Sequence, residues 1–282
     1  MNIQSFFVVG AGQMGHGIAQ VAAAKGISVC LHDITLELAD KGKKQVAKGL
    51  DRLVQKGKMT AEAQRALLEK IKPVADFAQV SQVDFIIEAA TERLDIKKKI
   101  FAEMDGLARP EVILATNTSS QSITEIAAAT KRADKVIGMH FFNPVPVMQL
   151  VEIVRGLATS VETDQTIYDL AVALGKTPAR VADYPGFVSN RVLMPMINEA
   201  IYCLFEGIAD AEAVDTVMKL GMNHPMGPLA LADLIGLDTC LFIMQRLYQG
   251  FSDSKYRPCP LLVKMVEAGK LGRKTGEGFY KY

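Results

Sequence analysis

The segment Ser5-Phe6-Phe7-Val8-Val9-Gly10-Ala11-Gly12-Gln13-Met14-Gly15 decides the fold. A run of Phe and Val reads as a buried strand, and three glycines follow it at GxGxxG spacing. Each glycine meets a different mechanical need. Gly10 permits a tight turn, Gly12 lets a bound group come close to the backbone, and Gly15 lets the next helix pack on the strand. That helix, read over 18–25, stops at Gly26. The amides at its N-terminus, with the loop residues Gln13 and Met14 leading into it, supply donors and a partial positive charge suited to a pyrophosphate. Three glycines in six residues also occur in ordinary turns, so the flanking context carries the weight. A second apolar run, 28–32, ends on Asp33, 18 residues past Gly15. An acid there accepts hydrogen bonds from adenosine ribose hydroxyls and repels a 2′-phosphate, which points to NAD rather than NADP.

Outward from this core, short Val/Ile/Phe-rich runs at 85–88, 112–116 and 136–140 alternate with helical patterns, the sequence form of repeated βαβ units. Two more extended stretches, 149–154 and 180–182, flank a helix near 164–174. The predicted fold is α/β: a Rossmann-type doubly wound, mostly parallel sheet. After Asp183 the turn signal Tyr184-Pro185-Gly186 introduces a wholly helical pattern. The expected organisation is therefore a nucleotide-binding domain over 1–183 and a smaller all-α domain over 184–282. Pro195 falls inside the first helix of the second domain and is expected to kink or open it. That domain is rich in Leu, Ile and Met and short for independent stability, so a homodimer built through it is expected.

Composition sets limits on function. The 32 Lys and Arg residues nearly balance 31 Asp and Glu, so no global field draws the chain to nucleic acid or an anionic membrane. No basic region precedes the first apolar run, which argues against a signal peptide. Asn198, Glu199, Asp233 and Asp238 interrupt the longest apolar stretches before membrane-spanning length. Cys30, Cys203, Cys240 and Cys259 show neither disulfide nor metal-ligand spacing, so a reducing cytoplasm and no metal are expected.

Two constellations point to chemistry. Lys41, Lys44, Lys48, Arg52 and Lys56 step by three or four residues through a helical pattern over 36–58 and share one face. Like charges so spaced repel by a few tenths of a kcal/mol per pair. The face is either simply solvated or matched to a polyanion such as coenzyme A, with its three phosphate groups. His140 ends an apolar strand, and such ends line the ligand crevice of an open parallel sheet. Imidazole, with an ordinary pKa of about 6.5, suits removal of a hydroxyl proton at neutral pH. Glu152 sits mid-strand among apolar residues, where an unpaired carboxylate is costly. A turn through Pro144-Val145-Pro146 would fold its strand back to meet His140; otherwise His140 is a core histidine and Glu152 faces solvent.

Together these segments resemble the (S)-3-hydroxyacyl-CoA dehydrogenase family over essentially the whole chain. The motifs that carry the likeness are Gly10 to Gly15, Glu88-Ala89-Ala90-Thr91-Glu92, Asn117-Thr118-Ser119-Ser120, the block from His140 to Glu152, Pro185-Gly186-Phe187-Val188-Ser189-Asn190-Arg191, His224-Pro225-Met226-Gly227-Pro228, and 271–280 with its Gly272-Arg273-Lys274-Thr275-Gly276. The resemblance implies NAD-dependent oxidation of a short-chain 3-hydroxyacyl-CoA, as in 3-hydroxybutyryl-CoA dehydrogenases. It implies His140 as general base, Glu152 as its orienting partner, and Ser119 and Asn190 as groups that hold the substrate. It further implies that Asp33, Glu92, Lys97, Asn117, Asn143 and Lys274 help to bind NAD, with Lys56 and Lys97 near CoA. For Ser119, an N-cap on the following helix is the other reading. One position departs from the pattern: Gly49 stands where several relatives place a CoA-contacting serine. Two rivals are a dehydrogenase of free 3-hydroxy acids, which typically uses a lysine acid–base group, and a non-catalytic NAD-binding regulatory or structural protein.

Overall fold

The structure, a computed structural model, describes residues 3–282. The chain divides into two compact units, one ending at Asp183 and the other beginning at Tyr184.

The first unit runs β1 (Ser5–Val9), α1 (Gln13–Ala24), β2 (Ser28–His32), α2 (Leu36–Gln55), α3 (Ala61–Glu69), β3 (Ile71–Val74), β4 (Phe85–Glu88), α4 (Leu94–Leu107), β5 (Ile113–Thr116), α5 (Ile123–Ala127), β6 (Val136–Phe141), β7 (Leu150–Arg155), α6 (Val161–Ala173) and β8 (Thr177–Ala182). Eight strands form one sheet in the order β3-β2-β1-β4-β5-β6-β7-β8. Every neighbouring pair is parallel except β6 and β7. Because helices cover a parallel sheet on both faces, its strands read as continuous apolar runs rather than alternating ones. All four residues of β4, Glu88 included, are buried. The order reverses between β1 and β4, and the crevice outside the carboxyl ends of these two strands is where such sheets take ligands.

Strand β3 was not expected. Lys72 and Pro73 break its apolar pattern, and it survives as a strand because it lies at the sheet edge, where proline's missing donor is tolerated. The single helical pattern read over 36–58 ends at Gln55, and a separate α3 starts where Thr60 Oγ1 accepts the amide of Ala63.

The second unit holds α7 (Ser189–Phe205), α8 (Ala211–Thr216), α9 (Pro228–Ile235), α10 (Leu237–Phe251) and α11 (Pro260–Glu267). Met194, Ile197, Ile201, Leu229, Leu237, Met244 and Leu247 are among the residues of its core. Helix α7 continues through Pro195, although the proline contributes no backbone donor. The C-terminal residues are pinned to this unit: Asp233 accepts the amides of Phe279 (3.0 Å) and Tyr280 (2.9 Å). Among the described residues, no single helix is long and apolar enough to cross a membrane.

Candidate active site

At the end of β1 the three glycines do three different things. Gly10 has φ +94°, and a Cβ there would lie 2.6 Å from Ala90 Cα, so the turn presses against the chain leaving β4. A Cβ on Gly15 would lie 1.7 Å from Gly10 O, so no side chain fits between helix and loop. A Cβ on Gly12 would meet nothing within 4 Å. Gly12 is also the N-cap of α1, with no side chain capping its amides and no acid in the first turn. These amides and the open approach at Gly12 fit the pyrophosphate of a dinucleotide.

Asp33 follows β2 with its carboxylate fixed: Oδ2 accepts the Ala11 amide at 2.9 Å and Oδ1 the Ile34 amide at 2.8 Å. It shares a cavity of about 580 Å³ with Gly12, Gln13, His16, Lys41 and Asn143. His16, which the sequence reading did not single out, has a buried Nδ1 with no hydrogen-bond partner among the described residues. Its position one residue past Gly15, on the first turn of α1, was the available signal.

The loops after β4 and β5 form a polar network. Glu88 accepts the Ala90 amide (2.7 Å), the Thr116 hydroxyl (2.8 Å) and the Lys97 ammonium (2.7 Å). Glu92 accepts the hydroxyl of Thr118 (2.6 Å) and both the amide and the hydroxyl of Ser119 (2.9 and 3.1 Å). Asn117 Oδ1 accepts the Phe141 amide at 2.8 Å, which ties the β5 loop to the strand bearing His140. Ser122, not Ser119, caps α5. Lys97 differs from the expectation of a residue laid against CoA. It is 2% exposed, with its ammonium on Glu88 and 4.0 Å from Glu92. The physical reason is Glu88, a strand-end carboxylate buried among apolar neighbours that needs a counter-charge.

His140 and Glu152 stand directly opposite in the antiparallel β6–β7 register. The residues between them form a turn that doubles the chain back, and Nδ1 of His140 lies 2.8 Å from Glu152 Oε2. Both are buried, at 7% and 2% exposure, so neither stands as a solvated group or a partnerless core residue. A carboxylate only accepts, so Nδ1 is the nitrogen that donates to it, and in the neutral imidazole this leaves the lone pair on Nε2.

Lys41, Lys44, Lys48 and Arg52 on α2, and Lys56 at its C-cap, are all exposed. None of the five forms an ion pair among the described residues. A Cβ on Gly49 would come 4.0 Å from Gln20 Oε1. In the second unit, Asn190 lies in the first turn of α7, and Lys274 is ion-paired with Asp238. Among the described residues, no cluster of His, Cys, Asp and Glu could hold a metal ion.

A switch-point crevice with uncapped helix amides and an acid at the end of the second strand fits a Rossmann-type oxidoreductase using NAD. Residues 5–184 match the family model described as 3-hydroxyacyl-CoA dehydrogenase, NAD binding domain, and residues 186–282 match its C-terminal domain. The chain belongs to the 3-hydroxyacyl-CoA dehydrogenase family, and it is an NAD-dependent enzyme. It is 56% identical to a probable 3-hydroxybutyryl-CoA dehydrogenase of Bacillus subtilis (100% of this chain, 98% of the relative). It is 44% identical to the human mitochondrial hydroxyacyl-coenzyme A dehydrogenase (98% and 90%). The crystal structure of (S)-3-hydroxybutyryl-CoA dehydrogenase from Ralstonia eutropha superposes with TM-score 0.97 at 53% identity, covering 100% of this chain and 99% of that one.

Proposed function

We propose that the enzyme interconverts (S)-3-hydroxybutyryl-CoA and acetoacetyl-CoA, with His140 and Glu152 as the acid–base pair. The observation that carries this reading is the 2.8 Å contact between His140 Nδ1 and Glu152 at the carboxyl end of β6, in a chain whose relatives bear that enzyme's name.

In the oxidative direction the substrate's 3-hydroxyl gives its proton to His140 Nε2 as the C3–O bond becomes a carbonyl. Glu152 holds the imidazole in the required tautomer and stabilises the imidazolium that forms. NAD, when bound, supplies the acceptor for the hydride that leaves C3. In reverse, the imidazolium returns the proton to the ketone oxygen. Asp33 reads the ribose, the Gly10–Gly15 loop with Gln13 and Met14 takes the pyrophosphate, and Asn117, Asn143 and Lys274 complete NAD binding. Lys97 acts through Glu88 and Glu92 rather than by touching CoA. Ser119 and Asn190 position the substrate about C3, and the α2 stripe, Lys56 foremost, meets the phosphates of coenzyme A.

The helical unit exposes Val192, Phe205, Ile208, Leu220 and Met222, a set of apolar side chains that supports burial against a second copy and hence a homodimer. The cytoplasm is the compartment proposed, in keeping with four free cysteines.

The test is NADH oxidation by the purified enzyme with acetoacetyl-CoA and, separately, with free acetoacetate. The proposal predicts turnover with the thioester at least about a hundredfold more efficient than with the free acid, since the remote CoA contacts contribute binding energy. No turnover with acetoacetyl-CoA would overturn it, and would favour a non-catalytic NAD-binding role.

A further inference from the structure

Lys176 is a buried cation without a counter-ion. Its ammonium donates to Val145 O at 2.5 Å and to Met148 O at 2.8 Å, and it forms no ion pair among the described residues. The side chain is aimed by local structure. Helix α6 ends with Gly175 at φ +80°, the Gly175 amide bonds Val172 O, and the Lys176 amide bonds Ala171 O. That pair of reversed bonds fixes the direction in which the chain leaves the helix. Burial pushes the Lys176 ammonium below the usual lysine range. A lysine held at that cost contributes through what its donors hold in place.

What they hold is the 143–148 turn. Asn143, Pro144 and Pro146 are exposed, yet together with Val145 they line the cavity that contains Gly12, Gln13 and Asp33. Besides its own bonds from the Val147 and Met148 amides to Pro144 O, two contacts among the described residues tie this turn to other elements. One is the Val145 side chain, seated over Gly17 of α1 so closely that a Cβ on Gly17 would lie 2.8 Å from Val145 Cβ. The other is Lys176.

We infer that Lys176 is a positioning residue for NAD binding: by bonding the carbonyls of Val145 and Met148 it clamps the 143–148 turn against α1 as one wall of the cofactor cavity. The inference rests on the assignment of that cavity to NAD. It assigns Lys176 no contact with cofactor or substrate. Without the ammonium, two carbonyls lose charge-assisted partners and the turn samples positions that leave the cavity incomplete, so cofactor binding must restore its order.

The experiment is NADH titration, followed by cofactor fluorescence, on the full-length Lys176→Met enzyme without acyl thioester. The expected dissociation constant is about tenfold higher than for the parent, the effect of losing roughly one such bond. At saturating NADH, kcat should fall by no more than about threefold, a split that a general loss of folding would not produce. Hydrogen exchange should rise in a peptide spanning 143–149 and not in β1 or β4. If K176M fails to fold, Lys176→Gln, which keeps two N–H donors on a shorter stem, is judged by the same criteria. An NADH dissociation constant within twofold of the parent overturns the inference. Asp33→Ala, titrated alongside, separates the causes: normal binding in both variants means the cavity assignment has failed, whereas weak binding in D33A alone means only the role of Lys176 has.

Discussion

Replacing Glu152 by Gln isolates what the carboxylate's charge contributes. Gln retains an oxygen that can accept from His140 Nδ1, so the tautomer and the antiparallel β6–β7 register that pairs the residues are preserved. Only the negative charge beside the forming imidazolium is removed. Two unit charges about 4 Å apart interact by about 4 kcal/mol at an effective dielectric of about 20. Reorientation of nearby dipoles offsets part of this, which leaves a barrier increase of roughly 3–4 kcal/mol and a fall in kcat of about 10²- to 10³-fold. Folding should change little, because a buried carboxylate is replaced by a neutral group of the same shape: a melting temperature within about 3 °C is expected. The assay is the initial rate of NADH oxidation at saturating acetoacetyl-CoA, with thermal unfolding measured on the same preparation. A kcat within about threefold of the parent would refute the claim that Glu152 stabilises the imidazolium.

Other perturbations test other parts of the molecule. Gly12→Ala should leave the melting temperature of the ligand-free protein unchanged, since its Cβ meets nothing, yet weaken NADH binding by about tenfold or more; Gly15→Ala, whose Cβ would overlap Gly10 O, should fail to fold stably. His32 packs against the rings of Phe7 and Phe77, which also stack on each other, and burial lowers its pKa, so below about pH 6.5 the unfolded chain takes up a proton that the folded chain refuses. Stability should therefore fall as pH drops from 7 to 5, and His32→Phe should make the slope of melting temperature against pH shallower; an unchanged slope would contradict this. Lys97→Met leaves the Glu88 carboxylate buried with only the Ala90 and Thr116 donors and should lower the unfolding free energy by about 3 kcal/mol in urea titrations. K97M combined with Glu88→Gln should recover at least half of that loss; no recovery would show the ion pair is not its cause.

The features legible in the sequence were those fixed by short-range geometry. The glycine loop needs particular residues at adjacent positions, so Gly10, Gly12, Gly15 and Asp33 could be read directly, and the buried parallel strands announced themselves as unbroken apolar runs. Glu152 could be paired with His140 because a mid-strand acid requires a partner and two prolines marked the turn between them. The edge strand β3 stayed hidden because only its place in the sheet makes Pro73 tolerable. The bond of Lys97 to Glu88 escaped notice because nothing in a lysine's sequence neighbours says that a strand-end carboxylate lies beneath it. Ser119 is readable as a cap for the following helix, but the cap of α5 is Ser122, three residues on, because backbone geometry and not residue type decides which hydroxyl meets the free amides. Lys176 gave no periodic signal at all: its role depends on carbonyls 28 and 31 residues away.

The most direct measurement compares His140→Gln with the parent in two assays on the same protein, NADH affinity by fluorescence titration and kcat with acetoacetyl-CoA. A base that acts on the substrate's oxygen predicts NADH binding within about twofold and kcat lower by about 10²- to 10⁴-fold. Turnover close to that of the parent would show that another group moves the proton.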